Sequence, residues 1–182
     1  MKKKIVMSLS PKSISQIKKS IQDFEKNYND GLENGVRVAT ERLYEKVIEN
    51  CLDSNLGEFT DAIQWDYDKT NNIGRVWVQS SGRGSNGMVI ILNEFGTGAA
   101  KDREMDYAFD YAKEHGYTIN ASGKGESGWA FPTKDGSMKW THGIPSKLMF
   151  YNAYEDIKRE FKGIIDAEIK GSIGRMYEGE KD

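Results

Sequence analysis

Ile14, Ile17, Ile21, Phe24 and Tyr28 recur at intervals of three, four, three and four residues, which is one face of an α-helix. Ser10-Pro11 supplies a start, because proline is tolerated in a first helical turn, and Asn29-Asp30-Gly31 supplies a stop. A second stripe, Leu32, Val36, Ala39, Leu43, Val47 and Cys51, predicts another helix over about 32–53. Glu41, Glu45 and Glu49 stand on its outer face, where like charges four apart mildly oppose one another. The period then falls to two. Ile63, Trp65 and Tyr67, and then Ile73, Arg75, Trp77 and Gln79, predict two strands of a hairpin joined by the turn-rich 68–72, with Trp65 and Trp77 in the core. Met88 to Leu92 is apolar on both faces and predicts a central strand. Trp129–Pro132 and Met138–Trp140 predict a further hairpin around Asp135-Gly136. Ser146 is placed to cap a last helix running to about Lys170, with Tyr154, Ile157, Phe161, Ile164, Ile165 and Ile169 as its apolar face and Gly171 as its end.

These elements add up to an α+β fold: an antiparallel sheet of four to five strands, packed by two N-terminal helices and one long C-terminal helix. Residues 1–170 read as a single domain. An inserted loop at about 99–127, with a helical pattern over Asp102–His115, reads as a mobile arm, and 171–182 as a flexible tail.

At 182 residues, with 37% hydrophobic and 30% charged positions, the chain is long enough for one core under a highly charged surface. A net charge of -2 gives no general reason to expect a nucleic-acid binder. Cys51 is the single cysteine, so no internal disulfide forms, and its apolar neighbours Val47, Ile48 and Leu52 predict a buried structural thiol. Lys2-Lys3-Lys4 followed by Ile5-Val6-Met7 imitates the start of a signal peptide, but the apolar run stops at Ser8. Met88 to Leu92 is far too short to cross a bilayer. The expectation is a soluble protein made in the cytoplasm.

Candidate chemistry is sparse. Gly82-Arg83-Gly84-Ser85-Asn86-Gly87 matches the dinucleotide pattern G-x-G-x-x-G, which works when a helix follows the loop and faces the pyrophosphate. Since the following run reads as a strand, a hairpin loop is the expectation. His115 and His142 are the two histidines; with one cysteine and no paired spacing, a zinc site would need scattered carboxylates. No nucleophile elbow or Cys-His signature is present in the sequence. The chain reads as a non-enzyme with no cofactor and no metal. Trp129 and Trp140 are open between a core role and an interface role, because large aromatics are enriched at the centres of contacts.

One combination is more specific. A strand runs into Glu94-Phe95-Gly96-Thr97-Gly98; after a variable loop come Gly128-Trp129-Ala130-Phe131-Pro132, then Trp140-Thr141-His142-Gly143-Ile144-Pro145-Ser146, then a helix opened by Lys147-Leu148-Met149-Phe150. This order resembles the tail-component family of tailed bacteriophages, small neck proteins that serve as head–tail connector or tail-completion proteins. The resemblance runs from about Val36 to Phe161. It implies a structural virion protein of the neck of a phage or phage-derived tail-like particle, assembled in the bacterial host cytoplasm. It implies a ring of this chain, hexamer favoured and dodecamer possible, touching the tail tube or terminator and the head-side connector. DNA would only pass through the channel, and no membrane would be involved. The interface residues it implies are Glu94, Phe95, Gly96, Thr97, Gly98, Trp129, Trp140, Lys147, Met149 and Phe150. Glu94 itself reads either as a solvated strand-end charge or as the partner of a basic group on a neighbouring subunit.

Two features depart from the family pattern. Members typically carry Arg-Pro-Phe where this chain has Lys147-Leu148-Met149, and the loop after Gly98 is longer and more helical. Charge is segregated along the chain: residues 1–30 hold seven lysines and three acids, net +4, whereas 41–68 hold eight acids against Arg42 and Lys46, net -6. Such patches can steer neighbours together. The alternative reading is a nucleic-acid-binding module using the lysine-rich N-terminus; a third is a small hydrolase using Glu94 or His142.

Overall fold

The computed structural model of the protein describes residues 10–81, 85–98, 129–132, 137–141, 143–144 and 146–178. In chain order these form α1 (Pro11–Asp53), a 3-10 turn (Gly57–Ala62), β1 (Ile63–Asp68), β2 (Ile73–Val78), α2 (Asn86–Phe95), β3 (Thr97–Gly98), β4 (Trp129–Pro132), β5 (Met138–Thr141), β6 (Gly143–Ile144) and α3 (Met149–Glu178). The fold is mixed helix and sheet, and mostly helical. The expected insertion at about 99–127, with its helix over Asp102–His115, lies outside the described residues, as do Asp135-Gly136 and residues 179–182.

The chain divides into two compact units, one of Met1–Thr40, Tyr67–Gly74 and Lys158–Asp182, the other of Glu41–Asp66 and Arg75–Ile157. In the first unit α1 and α3 run antiparallel, Gly31 lying against Ile169 and Gly35 against Ile165. A Cβ on Gly31 would lie 2.6 Å from the Ile169 Cα, and one on Gly35 3.1 Å from the Ile165 Cα. Asn34 donates to the Glu168 carboxylate, and Arg37 Nη2 donates to Asn34 Oδ1 at 2.8 Å. Lys69 Nζ, in the turn of the hairpin, pairs with Glu33 Oε2 at 3.3 Å.

This packing corrects the expected break at Asn29-Asp30-Gly31: α1 is one helix of 43 residues, not two. A glycine inside a helix costs about 1 kcal/mol relative to alanine, and here the loss is offset because a missing Cβ lets two backbones meet. The C-terminal helix likewise does not end at Gly171. It continues to Glu178, so residues 171–178 are helical and not tail, and Ser172 is buried.

The core of the second unit is Val47, Cys51, Leu56, Ile63, Ile90, Met149 and Ala153, with Leu43, Tyr44, Val76 and Val78 packed around them. Cys51 is buried as the sequence led one to expect. Within the unit, Trp65 is half-buried with its ring centroid 6.3 Å from that of Tyr44. Trp77 is a correction, since 41% of it is exposed. The alternation of β2 is real but its phase is opposite: the compact, branched Val76 and Val78 face the core, and the indole stands outside.

The expected central strand is also corrected. Residues 86–95 form α2, capped by the Ser85 hydroxyl, which accepts the Met88 N–H at 3.3 Å. Its buried positions, Gly87, Ile90, Asn93 and Glu94, recur at helical spacing. With its central member helical, the single sheet of four to five strands is not formed among the described residues. The strands make three two-stranded sheets instead: β1–β2, β3–β6 and β4–β5.

Two substitutions separate the packing role of glycine from its intrinsic cost. Gly31→Ala lowers stability by about 1–3 kcal/mol through overpacking against α3. Gly163→Ala, where an added Cβ meets nothing within 4 Å, raises it by about 0.5–1 kcal/mol. Thermal unfolding of the two variants reads the contrast, and a Gly31→Ala midpoint at or above wild type would refute the close approach.

Candidate functional site

The Glu94-Phe95-Gly96 segment is the C-terminal end of α2. Gly96 follows with φ 69 and ψ 173, a backbone conformation open in practice to glycine alone, so the chain turns sharply into β3. β3 pairs with β6 antiparallel, Thr97 opposite Ile144 and Gly98 opposite Gly143. That register returns residues 146–151 to the end of α2.

The returning segment and α2 then satisfy each other. Lys147 N–H donates to the Asn93 carbonyl at 2.8 Å, and the Ser146 hydroxyl donates to the Glu94 carbonyl at 2.5 Å. These are helix-end carbonyls with no partner in their own helix. In the other direction, the Glu94 carboxylate takes the first turn of α3: Oε2 accepts the Phe150 N–H at 2.9 Å and Oε1 the Tyr151 N–H at 3.0 Å. Glu94 is only 6% exposed. Ser146 was expected to cap this helix; a carboxylate more than fifty residues earlier does so instead, at the positive end of the helix dipole.

Burial pushes the Glu94 carboxyl above its ordinary range, and the N–H groups of Phe150, Tyr151 and Met149 pull it back only in part. The expectation of a solvated strand-end charge is therefore corrected, and both oxygens of Glu94 are engaged within its own chain. Leu148, just before α3, has φ 48, strained for a branched side chain. A proline could not adopt that angle.

The junction also reaches the end of α1. Lys147 Nζ donates to the Ser54 carbonyl at 2.6 Å, and Asn50 Nδ2 donates to the Met149 carbonyl at 2.8 Å. Met149, 1% exposed, lies with its sulfur 3.6 Å from the Cys51 sulfur. Burial, then the neighbouring Glu94 charge, pushes the Cys51 thiol up to about 11 against a lowering effect of Lys147, so it is protonated at neutral pH.

Six of the ten expected site residues, Glu94, Phe95, Gly96, Lys147, Met149 and Phe150, thus meet at one junction, and Thr97 and Gly98 form the strand beside it. Trp129 and Trp140 belong to the β4–β5 pair, opposite Thr141 and Ala130 respectively, and Trp140 is 62% exposed. Asn50, Ser54 and Asn93 were missed. Nothing in their spacing marks them: Asn50 acts through its side-chain amide, whereas Ser54 and Asn93 act through backbone carbonyls that any residue would supply.

The dinucleotide pattern meets one of its two structural requirements. Gly82-Arg83-Gly84 lies outside the described residues, and a helix, not the expected strand, follows it. A Cβ on Gly87 would lie 2.1 Å from the Gln79 carbonyl oxygen, so this glycine allows a close helix–chain approach. The preceding strand, however, belongs to a two-stranded hairpin and not to a parallel βαβ unit, which the dinucleotide arrangement requires. His115 and His142 lie outside the described residues. Among the described residues, no group of three or more His, Cys, Asp or Glu side chains could hold a metal ion, and no helix is long and apolar enough to cross a membrane. Comparison with protein families, curated proteins and solved structures returned no match.

Two outcomes test the junction. Glu94→Ala strands two buried N–H groups and lowers stability by about 2–5 kcal/mol, read by urea denaturation. Because the native carboxyl is raised, the folded state holds its proton more tightly than the unfolded one between the two titrations. Wild-type stability therefore falls relative to Glu94→Ala as pH rises from the ordinary carboxylate range through the raised value, and a gap that widens instead would sink this assignment. Cys51 resists thiol reagents in the folded protein and is labelled at the rate of opening; rapid stoichiometric labelling under native conditions would contradict its burial.

Proposed function

We propose that the protein is a structural component of the neck of a tailed phage or phage-derived tail-like particle, forming a ring that completes the tail and joins it to the head-side connector. The observation that carries this reading is the interlocking of residues 94–96 with 146–151. These are the segments on which the family resemblance rests, and their polar groups serve backbone groups of the same chain. That is the use expected of an architectural motif, in contrast to a catalytic one, whose polar groups must face a substrate. Exposed Met138 and Trp140 on β5, and exposed Trp77 on β2, offer apolar surface for neighbouring subunits.

The reading keeps the expectation of one antiparallel sheet of four to five strands within the subunit. A hexamer is the favoured ring, with a dodecamer second, closing by heterologous contacts. The alternative of a nucleic-acid-binding module draws on Lys12, Lys18, Lys19 and Lys26, all exposed on the first turns of α1. It predicts DNA affinity that falls steeply with salt.

Cryo-electron microscopy of intact particles tests the proposal. The expected result is ring density for this chain at the top of the tail tube, with complete tails lost when the chain is deleted. Correctly terminated tails joined to heads in the deletion would overturn it.

A further inference from the structure

The stripe of α1 is longer than one helical face needs. Ile14, Ile17, Ile21, Phe24, Tyr28, Gly31 and Gly35 follow one another at strict three–four spacing, a heptad repeat carried through three full heptads. At its C-terminal end the seam is covered within the first unit, where α3 lies on Gly31 and Gly35. Toward the N-terminus the same seam is open: Ile14 is 55% exposed, Ile21 60%, Phe24 46% and Tyr28 42%. Phe24 and Tyr28 stack with centroids 6.4 Å apart.

We propose that a second copy of this chain covers the open seam, residues 17–28 of the two copies packing antiparallel about a two-fold axis. Two observations select this occupant. The first is continuity, since the repeat that packs a helix at Gly31 and Gly35 is unbroken through Ile14. The second is charge. Lys18 and Glu25 directly follow Ile17 and Phe24, and so occupy the same flanking position of successive heptads. An antiparallel pairing that sets Ile21 against the second copy's Phe24 also sets Ile17 against its Tyr28. In that register Lys18 faces the second copy's Glu25, and Glu25 its Lys18, so each contact occurs twice. Within residues 17–28 each layer then matches an isoleucine with an aromatic ring. A parallel pairing would place Ser13 and Ser20 beside the flanking charges and leave them without a complement.

The inference stands apart from the neck reading. A two-fold arm contact is isologous, whereas a neck ring closes by heterologous contacts, so either can fail without the other.

Sedimentation equilibrium of the full chain at low salt tests it. The expected result is reversible association into even-numbered species. Ile21→Asp abolishes association while circular dichroism shows unchanged helix content. Lys18→Glu and Glu25→Lys each turn two attractive contacts into repulsive ones and weaken association about tenfold. An equimolar mixture of those two variants restores complementary pairs at both ends and associates as tightly as wild type. A chain that stays monomeric at every concentration overturns the proposal. So does association indifferent to Ile21→Asp, or a mixture no tighter than the single variants.

Discussion

The first turn of α3 presents N–H groups that the helix itself has no means to satisfy, and the Glu94 carboxylate meets them from the end of another helix. Much of the second unit depends on this bond. It sets where α3 begins, and that start point seats Met149 against Cys51 and Ala153 inside the core. It also requires the β3–β6 register, because a shift there would carry residues 146–151 away from α2. The carboxylate is held at a desolvation cost, offset by two N–H donors and a helix dipole, so the arrangement is stable only while all its partners are in place.

The first unit is joined by different means. Gly31 and Gly35 let α1 and α3 approach until backbone and side-chain stems touch, and Asn34 bridges to Glu168. Here specificity comes from shape: an added methyl group at either glycine has nowhere to go. In the second unit specificity comes from polar groups that fit one backbone register. The chain thus uses steric and electrostatic matching in separate places.

This division bears on function. Residues that would ordinarily be read as candidates for chemistry, a buried glutamate, a lone cysteine and a lysine beside it, are each engaged with backbone or sulfur of the same chain. Several large apolar side chains also stand outward among the described residues: Ile14, Ile21, Phe24 and Tyr28 on the α1 seam, Trp77 on β2, and Met138 and Trp140 on β5. Surfaces of that kind support the proposed assembly role.

Local periodicity was enough to mark the two helical stretches that α1 joins, the β1–β2 and β4–β5 hairpins, the long C-terminal helix and the burial of Cys51, because each follows from side-chain spacing on its own element. Periodicity did not single out the junction residues; the motif resemblance did, without a geometry. What periodicity left undecided were choices with two locally equal answers. Met88 to Leu92 is apolar throughout and suits a buried strand or a buried helix alike; only the Ser85 cap and the Glu94 bond to α3 favour the helix. Asn29-Asp30-Gly31 is a stop signal unless another helix needs the space that Gly31 leaves empty. β2 alternates whichever face is buried, and the shape of the core assigned Val76 inward and Trp77 outward. Spacing along the chain by itself determined which residues share a face; which face is covered, and by what, was decided only when distant segments competed for the same backbone donors and the same volume.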